Sequence, residues 1–232
     1  MPWGAIFRNR ADAGRRLAAA LDGFAATPNT IVLALPRGGV PVARPVADAL
    51  GAPLDVVGIR KLGSPRHPEY AVGAIGEEGV RIVDTAAARS VGLGEAELAE
   101  VEARERVELA RRLRSYRAGR ERLDLTGRVA IVVDDGVATG ATARAACRAV
   151  RQLGASEIVL AMPVAPPDWE RTLAGEADTF VAVATPSNFW AVGQWYADFS
   201  QTTDEEVVAC LDRGPRLSES ETERPGSESP GV

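Results

Sequence analysis

The sequence predicts an α/β protein built on a mostly parallel, twisted sheet with helices on both faces. Three observations carry that prediction. Two apolar runs of strand length, Thr30–Leu35 and Leu54–Ile59, flank a helical stretch ending at Gly51, and strand–helix–strand within about 30 residues is the βαβ unit of a parallel sheet. The same rhythm resumes at Arg128 and continues to about Leu211. Between the two halves, residues 60–93 break that rhythm and, with the long charged helix that follows, read as an insertion over about 60–122.

Taken in order, Ala11–Phe24 carries Leu17, Ala20, Leu21 and Phe24 at helical spacing. Thr30–Leu35 is continuously apolar and closes on Pro36-Arg37-Gly38-Gly39, as a buried strand does. Val40, Val46, Ala47 and Leu50 then form one helical face, and Leu54–Ile59 is a second strand. Arg60–Pro68, with one glycine and two prolines, reads as a loop. Tyr70–Ile75 and Val80–Val83 read as a small hairpin around Glu77-Glu78-Gly79, whose carboxylates are expected as turn charges. Glu95 to about Arg120 is a long charged helix with Leu98, Val101, Val107, Ala110 and Leu113 on a broken apolar stripe, and with Glu100–Arg104, Glu102–Arg106 and Glu108–Arg112 in the favourable i,i+4 order. Seven glutamates interleave its eight arginines through Arg122, which points to a solvated face rather than a nucleic-acid surface.

Arg128–Val133 is the next strand, followed by a Gly/Thr turn and a helix through Leu153. Glu157–Met162 and Thr179–Ala184 are strands, with a short helix over Pro167–Gly175 between them. Thr203-Asp204-Glu205-Glu206 is a capping-box pattern opening a last helix. From Arg213 onward Ser, Glu, Pro and Gly dominate, and 213–232 is expected as a disordered tail after one domain over 1–212.

Composition excludes several chemistries. Lys61 is the only lysine among 27 basic residues, His67 the only histidine, and Cys147 and Cys210 the only cysteines. His-rich and Cys₄ zinc sites are therefore out, and a nucleophilic triad would have to use His67. Both cysteines fall in helices as small core residues. A net charge of −5 argues against broad nucleic-acid binding. No run reaches the length needed to cross a bilayer and the N-terminus carries no signal-like apolar run, so the expected location is cytoplasmic.

The stretch that carries chemistry is Val129-Ala130-Ile131-Val132-Val133-Asp134-Asp135-Gly136-Val137-Ala138-Thr139-Gly140-Ala141-Thr142. A strand delivers two adjacent carboxylates at its carboxyl end, where ligands of open α/β sheets bind. The turn and the helix start that follow aim backbone N–H groups and two threonine hydroxyls at one point, which favours a phosphate dianion. Adjacent carboxylates suit a vicinal diol. The combination reads as a site for a ribose with its 5′-phosphate in the turn. No Walker A or dinucleotide fingerprint occurs.

This stretch resembles the phosphoribosyl-pyrophosphate (PRPP) signature of type I phosphoribosyltransferases. The resemblance implies that Asp134 and Asp135 hold the ribose hydroxyls and that Val137, Ala138, Thr139, Gly140, Ala141 and Thr142 line the phosphate cradle. It implies that Arg37, Gly38 and Gly39 form a pyrophosphate loop, although Arg-Gly-Gly also serves as an ordinary strand-to-helix turn. Lys61 would reach the pyrophosphate with Arg60 beside it, or stand as a surface lysine. Residues of about 62–93, with His67, Glu69 and Tyr70, would be a hood that closes over PRPP and excludes water. Asn188–Phe199 holds five of the chain's twelve aromatics and is similar to the nucleobase segment of hypoxanthine-guanine enzymes, with Trp190 stacking on the acceptor, or else it is an aromatic core cluster. Its spacing from Gly193 to Asp198 is one residue longer than the pattern.

Ala138 departs from the 6-oxopurine enzymes, which carry an aspartate there, and its Ala-Thr-Gly matches the adenine enzymes instead. The implied activity is transfer of phosphoribosyl from PRPP to a nitrogenous acceptor, with Mg²⁺ held by the pyrophosphate, ribose hydroxyls and waters near Asp134 and Asp135, and with a homodimer as the assembly. Because Ala138 cannot exchange a proton, a non-catalytic PRPP sensor stands as the alternative.

Overall fold

The computed structural model describes residues 4–25, 27–64 and 67–212, and the side chains of all of these except 64 and 67–71. The tail expected over 213–232 and the side chains of His67, Glu69 and Tyr70 lie outside the described residues. In chain order the elements are α1 (Arg10–Ala20), β1 (Thr30–Ala34), α2 (Gly39–Leu50), β2 (Leu54–Val56), β3 (Ile59–Ser64), β4 (His67–Gly76), β5 (Arg81–Val83), α3 (Thr85–Ser90), α4 (Glu95–Arg117), β6 (Val129–Val133), α5 (Ala141–Gln152), β7 (Glu157–Val164), α6 (Trp169–Thr172), β8 (Thr179–Ala184) and α7 (Asp204–Asp212).

The order of the main sheet is β2-β1-β6-β7-β8, and every pairing in it is parallel. Continuous apolar strands are what a sheet covered on both faces requires. Alternate residues divide between the faces. Val32, Ala34, Ile131, Val133, Val159 and Ala161 pack with α1, α2, α4 and α7. Ile31, Leu33, Ala130, Val132, Ile158, Leu160 and Met162 pack with α5 and α6. The capping box forms as read: the Thr203 amide donates to Glu206 and the Glu206 amide to the Thr203 hydroxyl.

The structure departs from expectation in three ways, in and beside the insertion. Arg60–Pro68 is not a loop: β3 runs through Ser64 and β4 begins at His67, and β3-β4-β5 form a separate antiparallel sheet. An exposed Lys61 beside a buried Leu62 is strand alternation, which the Gly and Pro residues mask in the sequence. Leu54–Ile59 is also not one strand. The Val57 amide still donates to Ala34, but the Gly58 amide is taken by Glu77, and Ile59 pairs with Gly76 in the second sheet. Finally, α4 buries Leu98, Val101, Leu109, Leu113 and Tyr116, while Val107 is 71% exposed. Ala110 is exposed too, so the stripe shifts to Leu109, which packs on the core under α4.

Glu102–Arg106 and Glu108–Arg112 pair as expected, and Glu100–Arg104 is not among the described ion pairs. Glu77 is more than a turn charge. With Asp55 it brackets the buried Arg117, whose Nε donates to Asp55 at 3.0 Å and whose Nη1 donates to Glu77 at 2.5 Å. This network fastens the β4–β5 turn and the end of α4 to β2. Arg60–Glu105 and Arg81–Glu102 add two further ties between the small sheet and α4. Among the described residues no helix is long and apolar enough to cross a membrane.

Candidate active site

Strand β6 ends at Val133, so Asp134 and Asp135 stand at the carboxyl edge of the sheet beside the end of β1. The Leu35 amide donates to the Val133 carbonyl at 2.9 Å, which brings Pro36–Gly39 alongside the two acids. Contact there is close. A Cβ on Gly38 would lie 2.1 Å from Asp135 Oδ2, and one on Gly39 would lie 2.6 Å from the Val133 carbonyl oxygen. The two glycines therefore make room for the carboxylates and their backbone, a need that the sequence alone assigns to a ligand.

Each acid has one oxygen committed. Asp134 Oδ1 accepts the Asp135 amide at 2.8 Å. Asp135 Oδ2 accepts Arg10 Nε at 2.8 Å and pairs with Arg10 Nη2 at 2.8 Å. Burial raises both carboxyls above the usual carboxylate range. The Asp135 charge pushes Asp134 further up, while Arg10 and Lys61 pull it down. For Asp135 the Arg10 guanidinium is the chief opposing influence. Arg10 is itself held, its guanidinium carbon 4.0 Å over the Phe199 ring and its Nη1 donating to the Ser200 carbonyl at 2.6 Å. The Tyr196 hydroxyl donates to the Asp135 carbonyl at 2.5 Å, and burial pushes that phenol's pKa up.

In the turn that follows, Val137 is 5% exposed and donates its amide to the Val164 carbonyl, so it anchors the turn to β7 and offers the cradle no donor. Ala138, Thr139 and Ala141 are exposed, and Thr142 is half-buried. Gly140 caps α5 in the left-handed region at φ 76°, against Leu173, where a side chain would be strained and crowded. The first amides of α5 precede its first helical bond, from the Arg144 amide to the Gly140 carbonyl, and are the kind of donors a helix N-terminus offers an anion.

Two clefts meet at this edge. One, of 470 Å³, lies between α4 and β3 and touches Pro36, Arg60, Lys61, Tyr116 and Thr142. The other, of 510 Å³, lies between α5 and the small sheet and touches Lys61, Thr139, Ala141 and Arg144. Lys61, on β3 opposite Ala74 of β4, lines both. Arg37 follows β1 and pairs with Asp204 of α7 at 3.7 Å, and Asp204 also accepts the Tyr116 hydroxyl at 2.9 Å. Asp134, Asp135, Arg37–Gly39, Lys61 and the 138–142 turn thus converge on one end of the sheet.

Trp190 lies outside both clefts and is 87% exposed, while its neighbours Trp195 and Tyr196 are buried with Phe7 and Val164. The aromatic segment is thus mostly core, with one free ring. Asp198 accepts the Ser200 amide at 3.0 Å. Cys147 is buried in α5, and burial pushes its thiol up to about 12. Arg10 is a site residue that sequence reasoning does not find, because no local signal ties it to an acid 125 residues away.

The donor set fits a divalent cation only in part. No cluster of three His, Cys, Asp or Glu side chains occurs among the described residues. Asp134 and Asp135, each with one oxygen committed, would hold Mg²⁺ only as outer partners through waters, in keeping with the reluctance of this small cation to shed its hydration.

Residues 2–200 match the family model described as "Phosphoribosyl transferase domain". The chain belongs to this family. The phosphoribosyl transferase match covers both halves of the parallel sheet and the insertion between them. The chain is 53% identical over 214 residues to two Mycobacterium tuberculosis proteins, named "Putative phosphoribosyl transferase MT0597" (strain CDC 1551 / Oshkosh) and "Putative phosphoribosyl transferase Rv0571c" (strain H37Rv). The alignment covers 91% of this chain and 47% of each of those proteins, so the chain spans about half the length of the curated relatives it matches. The crystal structure of TT1426 from Thermus thermophilus is 44% identical and superposes with a TM-score of 0.76, covering 88% of this chain and 97% of that one.

Proposed function

We propose that the chain transfers the phosphoribosyl group of PRPP to a nitrogenous acceptor, a nucleobase being the chemical class that fits, with release of pyrophosphate. The observation that carries this reading is the convergence of two carboxylates, each with one uncommitted oxygen, on the Gly/Thr turn at the start of α5 and an arginine-glycine loop at one sheet edge. In this reading Asp134 and Asp135 accept the ribose hydroxyls. The amides and hydroxyls of Ala138–Thr142 hold the 5′-phosphate, with Val137 as their anchor. Arg37, supported by Gly38 and Gly39, and Lys61 neutralise the departing pyrophosphate. By the resemblance Trp190 offers its exposed ring to the acceptor, although it lies outside both clefts.

The C1–oxygen bond to pyrophosphate breaks as the acceptor nitrogen bonds C1 from the opposite side, and the acceptor's proton passes to the departing pyrophosphate or to water, so no protein nucleophile is needed and placement with electrostatics supplies the rate. Mg²⁺, when bound, adds positive charge on the pyrophosphate oxygens. In this reading Arg60 joins Lys61 on the pyrophosphate, and the hood of about 62–93 covers the leaving group and excludes water. A homodimer, by family resemblance, and a cytoplasmic location, from the sequence, complete the reading.

Calorimetric titration with PRPP and Mg²⁺, followed by a nucleobase screen for pyrophosphate release, tests it. Absence of PRPP binding refutes it. One observation favours a second reading, a non-catalytic PRPP sensor: Ala138 puts a methyl group where, by the resemblance, the 6-oxopurine enzymes carry an aspartate. Binding with no turnover of any base, and loss of binding in Asp134→Asn with Asp135→Asn, supports the sensor.

A further inference from the structure

The proposed diol site depends on a residue outside the PRPP signature. Asp135 is gripped from two directions. Arg10 donates Nε to Oδ2 at 2.8 Å and pairs with it through Nη2 at 2.8 Å, and the Tyr196 hydroxyl holds the backbone carbonyl at 2.5 Å. Arg10 and Tyr196 are tied to each other through the segment that follows, since Phe199 packs on the Tyr196 ring and stacks under the Arg10 guanidinium. The Ser200 carbonyl accepts from Arg10, and the Asp198 amide donates to the Arg8 carbonyl. The result is a closed cage around Asp135. Its members come from α1 and from residues 196–200, regions that carry none of the motif.

The cage has a stoichiometric consequence. With Oδ2 of Asp135 taken by Arg10 and Oδ1 of Asp134 taken by an amide, each acid keeps one oxygen, so two acceptors remain for two vicinal hydroxyls. Charge-assisted bonds of this kind are short and directional, and the side chain they hold is only 15% exposed. A carboxylate free to rotate would present either oxygen, and its affinity for a fixed diol would fall. Gly38 leaves the space into which Asp135 Oδ2 and Arg10 Nε fit.

We propose that Arg10 is a positioning residue which orients Asp135 so that the pair of acids recognises a cis-diol, and thereby sets how much the sugar adds to the binding of a sugar phosphate. This rests on the reading that Asp134 and Asp135 hold the ribose. The test compares ribose 5-phosphate with inorganic phosphate by calorimetry on the full chain, in the wild type, Arg10→Gln and Arg10→Lys. The wild type is expected to bind ribose 5-phosphate about tenfold or more tightly than phosphate, the order of one or two charge-assisted bonds. Arg10→Gln should bring that ratio close to one while leaving phosphate affinity within about twofold, because the turn of α5 is untouched. Arg10→Lys keeps the charge without the planar fork and should give an intermediate ratio. It also carries the test if Arg10→Gln fails to fold. An unchanged ratio in a folded Arg10 variant overturns the proposal and leaves the PRPP reading standing. So does a wild-type ratio near one in a protein that binds PRPP. A wild type that binds no PRPP overturns both.

Discussion

Replacing Gly38 by alanine perturbs the proposed site without removing any of its functional groups. The added Cβ would stand 2.1 Å from Asp135 Oδ2, 2.8 Å from its Cγ and 3.3 Å from Arg10 Nε. Neither neighbour is the loose end of a long chain, since the carboxylate is short and its oxygen is held by two guanidinium nitrogens. To regain even a tight contact the oxygen has to recede by roughly 1 Å, which stretches a 2.8 Å hydrogen bond beyond useful range. A bond to a charged group is worth about 1.5–3 kcal/mol. If that energy is lost from the bound state, PRPP affinity falls by about 10- to 100-fold. Overpacking of this kind also lowers stability, by about 1–3 kcal/mol. Calorimetric titration with PRPP and Mg²⁺, alongside urea denaturation, separates the two effects. Gly39→Ala is the contrast, because its Cβ meets backbone at Val133 and Asp134 and should lower stability more. A folded Gly38→Ala protein that binds PRPP within twofold of wild type would refute the idea that the loop glycines serve the acids.

Lys61→Ala should lower pyrophosphate affinity by about tenfold at an unchanged melting temperature, since Lys61 is exposed and makes no ion pair among the described residues. Competition binding and a thermal melt measure both, and a fall in melting temperature would make the lysine a structural residue. Glu77→Gln leaves Arg117 with half of its buried counter-charge and should cost about 3–5 kcal/mol in urea denaturation, because an unbalanced buried ion is strongly unfavourable. A loss below 1 kcal/mol, as is usual for a surface pair, would show that the turn is not held through this network. Glu102 is held below its usual 4.5, first by the hydrogen bond from Arg81 and then, against burial, by that from Arg106. A depressed folded value means that its contribution is complete above 4.5 and is lost as pH falls below it. The urea midpoint of wild type should therefore fall more steeply on acidification than that of Glu102→Gln, and parallel curves would count against the Arg81–Glu102 tie.

Legibility in the sequence divides along sequence distance. The parallel sheet is readable because buried strands are continuous apolar runs and their helices follow within a dozen residues. The acids and the phosphate turn are readable because strand end, turn and helix start are contiguous, so one stretch, Val129–Thr142, carries the geometry. The small sheet is hidden around Arg60–Pro68 because its strands carry Gly and Pro and pair with partners that local propensity does not reveal. Periodicity alone puts Val107 on the buried stripe because the charged helix offers two possible faces, and only packing on the core chooses Leu109.

By itself, then, the sequence determined the fold class, the family signature and the position of its acids, since each is written in neighbouring residues. Only the tertiary structure decided that Asp135 is held by Arg10, that Glu77 neutralises Arg117 in the interior, and that Gly38 and Gly39 are small on behalf of the acids beside them. These are contacts between elements far apart in the chain. Their strength comes from distance, direction and exclusion of water, which exist only once the strands have brought those elements to the same edge.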